Sequence, residues 1–241
     1  MTVSLRPKTA LAAILLMSSA AHAAGLEPVE SSFDWTGAYV GLNAGAAFSE
    51  GEWDNADDPN AIPFNVLIDF TAENTGFIGG GQVGYNRQIN HFVLGLEGDL
   101  DYLGIDGNNA PVNFAYDAYI HTEQKWLGSV VGRLGYANDR LLIYGTAGVA
   151  FTSYEFTTVN YNLSTFIVNH PSDNQTGWTA GAGAEYAVTD RFIAGLDFRH
   201  YDFGSSAVST AALQQSAGPG LDRLRVKETD NVITARINYK F

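Results

Sequence analysis

The chain contains no cysteine. Neither disulfides nor thiolate metal sites can brace it, so an exported protein of this composition must find its rigidity elsewhere. Positive charge is also scarce: 13 Lys and Arg stand against 26 Asp and Glu, a formal net charge of −13. That balance argues against a nucleic-acid partner, whose phosphates need a basic surface. Beyond the first two dozen residues no run approaches the roughly 18 apolar residues of a membrane-crossing helix. No G-x-S-x-G elbow and no H-E-x-x-H pair is present, and no catalytic set, cofactor site or metal site is expected. Gly79-Gly80-Gly81 with Gly84 is not followed by the Lys-Ser/Thr of a phosphate loop, and reads as a kink or close-packing site in a strand.

The N-terminus carries Arg6 and Lys8, an apolar run from Ala10 to Met17, and Ser18-Ser19-Ala20-Ala21-His22-Ala23. This is the layout of a secretory signal peptide, expected to be cleaved after residue 23. Removing residues 1–23 takes the net charge from −13 to −15. Residues 24–34 then form a short periplasmic lead, and 35–241 form the folded body.

Glycine is abundant at 26 residues and aromatics reach 12%. A hydropathy window averages away strands that alternate greasy and polar residues, so the period has to be counted. In Trp35 to Ser49 the even positions Ala38, Val40, Leu42, Ala44, Ala46 and Phe48 oppose Gly41, Asn43, Gly45 and Ser49. Phe77, Val83 and Tyr85 oppose Gln82 and Asn86. In the clearest segment Phe92, Leu94, Leu96, Leu100 and Tyr102 lie on one face, with Glu97, Asp99 and Asp101 on the other. A helix would scatter those carboxylates among the leucines.

The alternation recurs in Trp126–Tyr136, Leu141–Thr152, Trp178–Tyr186, Phe192–Tyr201 and Ile233–Phe241, which makes eight strands. Tight turns near Gln88-Ile89-Asn90-His91, Ala137-Asn138-Asp139 and Thr189-Asp190 alternate with long connections over 50–74, 104–122, 157–172 and 205–227. Short turns at one end and long loops at the other predict an all-β fold, an eight-stranded antiparallel up-and-down transmembrane β-barrel in a Gram-negative outer membrane, termini in the periplasm.

A soluble barrel of the same period would hide its apolar face and show Lys and Glu to water. Here the polar face is rich in glycine, and its charges are of both signs: Glu97, Asp99, Asp101, Glu185 and Asp197 beside Arg133, Arg199, Arg236 and Lys240. The expectation is a lumen charge network that plugs a narrow barrel, with the apolar face toward lipid. Trp35, Tyr102, Trp126, Tyr136, Trp178, Tyr186, Phe192 and Tyr239 stand at strand ends, where an aromatic girdle would lie.

Phe33-Asp34 followed by Trp35-Thr36-Gly37-Ala38-Tyr39-Val40-Gly41-Leu42-Asn43-Ala44-Gly45, and the closing Ile233-Thr234-Ala235-Arg236-Ile237-Asn238-Tyr239-Lys240-Phe241, resemble the porin-like outer-membrane β-barrel family of alphaproteobacteria. That family groups small surface antigens with hemin-binding proteins, and its eight-stranded members resemble the OmpA-type barrel. The resemblance implies a role in envelope integrity and surface contact, with lipid and lipopolysaccharide as surroundings. It also implies that Ile237, Tyr239 and Phe241 form a signal read by the outer-membrane assembly machinery. No peptidoglycan-binding domain is expected after the barrel.

The alternative is a narrow porin, or hemin capture by His121, His170, Tyr116, Tyr119 or Tyr161 in the loops. His91 falls in a turn, and His200 in a strand on its outward side near the rim. Glu50, Glu52, Asp54, Asp57 and Asp58 resemble a loose divalent-cation site, but a solvated acidic loop is the expected reading.

Overall fold

In the computed structural model the described residues are 33–55, 70–106, 110–113, 118–160, 166–169, 173–209 and 223–241. Their only regular elements are strands: β1 Gly37–Asn55, β2 Phe70–Ile89, β3 Phe92–Asp106, β4 Ala110–Asn113, β5 Ala118–Asn138, β6 Leu141–Asn160, β7 Phe166–Asn169, β8 Asp173–Ala187, β9 Phe192–Ser209 and β10 Arg223–Lys240. The expected signal peptide lies outside the described residues.

Eight long strands of 15 to 21 residues form one ring. Around it β1 pairs with β2, β2 with β3, β3 with β5, β5 with β6, β6 with β8, β8 with β9, β9 with β10, and β10 with β1, always antiparallel. The sheet is closed, as the period predicts, and closure leaves no row of unpaired backbone groups on the long strands. The short β4 and β7 extend β5 and β6 at the long-loop end.

The turns sit where the residues permit them. Asn90 and Asp139 take φ of 56° and 50° at the β2–β3 and β5–β6 turns. Asn and Asp tolerate this left-handed conformation because their short polar side chains can bond the local backbone.

Strands reach past their expected ends on the long-loop side. Glu50, Glu52 and Asp54 belong to β1, paired with Thr229, Lys227 and Arg225, so the acidic stretch begins as a strand. Asp57 and Asp58 lie outside the described residues, as do Tyr116, Tyr161 and His170. Tyr119 and His121 lie in β5, but their side chains are not among those described. The acidic stretch and the alternative hemin ligands therefore have no described side-chain geometry beyond Glu50 and Glu52, both exposed.

Parity sorts the side chains. Leu42 is 68% exposed and Leu96 67%, and Leu94, Leu100, Leu134, Ile143, Leu196, Phe198, Ile233 and Ile237 share that outward face. A belt of large apolar side chains around a closed sheet is matched to hydrocarbon, not water.

The interior is not uniformly polar, contrary to the simple alternation. At the short-turn end Phe33, Trp35, Val93, Ala137, Leu142, Tyr144, Ala187 and Ile193 form a buried cluster. Toward the long-loop end Ala47, Ile78, Leu103, Ile105, Leu127 and Phe203 are buried. The arginines and the acids they pair with lie between these apolar zones.

Candidate functional site

The central layer is built from inward positions on β1, β3, β5, β6, β8, β9 and β10. Glu97 on β3 is its hub. It lies 3.1 Å from Arg133 Nη1, 2.9 Å from Arg236 Nη2 and 2.5 Å from Arg199 Nη2, and accepts a hydrogen bond from the Tyr39 hydroxyl at 2.6 Å. Three guanidinium groups converge on one carboxylate, each with a further acid.

Arg133 Nη2 reaches Glu185 at 2.8 Å, Arg199 Nη1 reaches Asp99 at 2.7 Å, and Arg236 Nη1 lies 3.6 Å from Asp197. Arg199 Nε is 2.8 Å from Asp197 Oδ1 yet makes no aligned hydrogen bond, so that contact is an ion pair only. Arg133 also stacks over the Tyr144 ring at 4.0 Å, which offsets part of the cost of removing a guanidinium from water. Such a network is tolerable because nearly every charge has both a Coulombic partner and hydrogen bonds.

Amides carry the network around the barrel wall. Asn43 Nδ2 donates to Asp101 Oδ1 at 2.8 Å and to Gln82 Oε1 at 3.0 Å; Gln82 Nε2 donates to Asn238 Oδ1 at 2.7 Å; Asn238 Nδ2 donates to Glu185 at 3.0 Å. Close packing requires glycine at the wall. A Cβ on Gly84 would meet the Tyr39 ring and hydroxyl at 2.4 Å, and one on Gly183 would meet the Tyr144 hydroxyl at 2.4 Å. A cavity of about 10 Å³ among Asn43, Asp99, Asp101, Thr234 and Arg236 has room for a single water.

Eight of the nine charged residues expected in the lumen face into this layer: Glu97, Asp99, Asp101, Arg133, Glu185, Asp197, Arg199 and Arg236. Lys240 does not join them. It is the last residue of β10, below the network, and its ammonium donates to the Asp34 carbonyl while lying 4.8 Å from the Phe33 ring centre.

Trp35 is likewise corrected. It is 1% exposed, with Nε1 donating to the Asp139 carbonyl at 3.1 Å and its amide to Gln88 Oε1 at 2.7 Å, so it closes the barrel mouth from inside and is no part of a girdle. Phe33 packs edge-on against it at 4.9 Å. The nearby Asp34 carboxyl is held below its ordinary range, first of all by the Thr36 amide at 2.8 Å.

Tyr102, Tyr136, Trp178, Tyr186 and Phe192 are exposed on the outward face, and Trp126 is half-buried. On β10 Ile237 points outward beside half-buried Tyr239, whose ring meets Phe192 and the exposed Phe241 edge-on. His91 stacks on Tyr136 at 5.5 Å, and His200 bonds Asn231 at 2.9 Å against Trp178. Neither lies in the charge network.

Sequence reasoning missed Tyr39, although its odd position in β1 gave the signal. It also missed a second polar group nearer the long loops, comprising Ser49, Gln124, Thr152, Glu228 and Asp230, because Glu228 and Asp230 fell between an expected loop and an expected strand.

The sequence matches the family model described as "Outer membrane protein beta-barrel domain" over residues 9–241. It is 35% identical over 182 residues to the 31 kDa outer-membrane immunogenic protein of Brucella melitensis, covering 73% of this chain and 74% of that protein. It is 32% identical to the 22 kDa outer membrane protein of Rhizobium leguminosarum, covering 74% and 69%. Among solved structures it is similar to the outer membrane protein OprG of Pseudomonas aeruginosa, at 11% identity and a TM-score of 0.45, covering 86% of this chain and 97% of that one. The Escherichia coli outer membrane protease OmpT matches at 9% identity and a TM-score of 0.44, covering 88% and 99%. The chain belongs to the outer membrane protein β-barrel domain family and is an outer-membrane β-barrel protein.

Proposed function

We infer that this barrel is a sealed, stiffening element of the outer membrane that presents its long loops to the surroundings and carries out no covalent chemistry. The observation that supports this reading best is the filled lumen: three arginines and five carboxylates lie across the bore, and Phe33 and Trp35 stop one mouth. A free ion entering such a layer would have to displace several buried ion pairs at once, a cost of several kcal/mol for each group left unpaired.

In this reading the short turns and both termini of the mature chain face the periplasm, and the four long connections face outward, as in barrels assembled from the periplasmic side. Phe33 and Trp35, just before β1, form the stopper at that end. The lipid belt meets acyl chains and, at the outer rim, lipopolysaccharide. Phe241, with Tyr239 and Ile237 at alternate positions, presents the terminal pattern read by the assembly machinery.

Two relatives are named for immunogenicity or outer-membrane location, which accords with loops accessible from outside. A host-surface ligand is the partner such loops would serve; hemin would require donors from Tyr116, Tyr119, His121, Tyr161 or His170.

The test is conductance. Refolded mature protein in planar bilayers should give no stable steps across the physiological voltage range. Steady single-channel currents from monomeric protein would overturn the sealed reading in favour of a narrow porin, while a stoichiometric Soret shift on hemin titration would assign the loops a ligand.

A further inference from the structure

The second polar group differs from the central layer in one respect: among the described residues it has carboxylates and no arginine or lysine. Glu228 and Asp230 occupy consecutive inward positions of β10, Glu228 within the irregularity of its pairing with β9 and Asp230 just beyond it, and are 6% and 0% exposed. Four of the five central acids, Glu97, Asp99, Glu185 and Asp197, form ion pairs with arginines, whereas the groups acting on Asp230 are Ser49, Gln124 and His200, and Asp230 in turn acts on Glu228. Gln124, on β5, donates its Nε2 to Asp230 Oδ2 at 2.9 Å and to Thr152 Oγ1 at 3.1 Å. Its own Oε1 has no partner, although the residue is 2% exposed. Asp230 Oδ1 is unsatisfied too.

Two buried carboxyl groups and an orphaned, fully buried amide oxygen form an all-oxygen set with no arginine or lysine among the described residues. A carboxyl in such a place is either protonated or held ionised by a counter-ion. Oxygen-only ligation by carboxylates and a carbonyl is the chemistry of hard divalent cations, which complete their shell with water. Soft metals would want nitrogen or sulfur, which this set of oxygens does not offer.

We propose that the long-loop half of the lumen holds one hard divalent cation, Ca²⁺ or Mg²⁺, on oxygens of Glu228, Asp230 and Gln124. The ion neutralises the carboxylates and ties β10 to β5 across the bore, at the level where the loops leave the barrel. With only two carboxylates the site should be weak, on the order of 0.1–1 mM, the range of extracellular Ca²⁺ modules.

The experiment uses the refolded mature chain in detergent, freed of metal with a chelator and titrated calorimetrically with Ca²⁺ and then Mg²⁺ up to about 10 mM, well above that range. Two variants separate this site from the acidic strand ends: Glu228→Gln with Asp230→Asn, which keeps side-chain size, and Glu50→Gln with Glu52→Gln on the exposed outer side. Heat-modified gel migration checks that each has folded.

The expected result is one cation per barrel, at least a tenfold loss of affinity in the first variant, and unchanged affinity in the second. Should the first variant fail to fold, Gln124→Leu is titrated in its place, with the same loss expected. No binding in the wild type, or binding that survives in the lumen variant, overturns the proposal. Loss confined to the Glu50/Glu52 variant overturns it also, and moves the ion to the rim.

Discussion

Glu97 and Asp230 are both carboxylates sealed inside one barrel, and their surroundings could hardly differ more. Glu97 meets three guanidinium groups and a tyrosine hydroxyl, whereas Asp230 accepts from the Gln124 amide and leaves one oxygen without a partner. Burial is therefore not one condition with one energetic consequence. In the central layer a buried charge is held by several guanidinium groups at once; near the long loops a carboxyl has no arginine partner among the described residues, and its charged form needs a counter-ion.

The largest effect should come from breaking the first half of that contrast. Glu97→Gln leaves Arg133, Arg199 and Arg236 facing one another around a neutral amide, and should cost about 3–5 kcal/mol, the range for removing one partner of a buried ionic group. Urea unfolding of the barrel in lipid vesicles, followed by tryptophan fluorescence, would measure it. A loss below about 1 kcal/mol would mean that water or rearranged side chains satisfy the arginines and that the layer is less dry than its distances imply.

The second half predicts a smaller change of opposite sign. In chelator, Asp230→Asn should leave stability unchanged or raise it by up to about 1 kcal/mol, because it removes a buried ionisable group that has no arginine partner among the described residues. A clear destabilisation without cation would show that the carboxylate already has a partner, and would erase the contrast.

The two regions were also unequally legible in the sequence. Glu97, Asp99 and Asp101 alternate with Leu96, Leu100 and Tyr102, so parity placed them inside without any knowledge of their partners. Closure supplies what parity lacks. Arg199 and Glu97 are 102 residues apart, and which arginine meets which acid depends on the stagger of the whole ring.

Glu228 and Asp230 were hidden because Lys227, Glu228, Thr229, Asp230 and Asn231 contain no apolar residue, and a strand that has left the lipid belt loses the greasy half of its pattern. Trp35 misled for the converse reason. An aromatic at a strand end suits an interface, but its odd position puts it on the inner side with Tyr39, where it stops the mouth. Buried Val93, Leu142 and Ile193 break alternation in the same way, because the narrow bore needs apolar filling at its ends as well as charge in its middle.

The assignment of faces underlies every other statement, and tryptophan fluorescence tests it without relying on function. Variants retaining only Trp178 or only Trp35, the remaining tryptophans replaced by Phe, would be refolded into vesicles of lipids brominated along the acyl chains. Trp178, 51% exposed on the outer face, should be strongly quenched, and Trp35, 1% exposed within the mouth, should keep its emission. Equal quenching of the two, or quenching of Trp35 alone, would contradict a barrel whose apolar belt faces lipid and whose charged layer is sealed within.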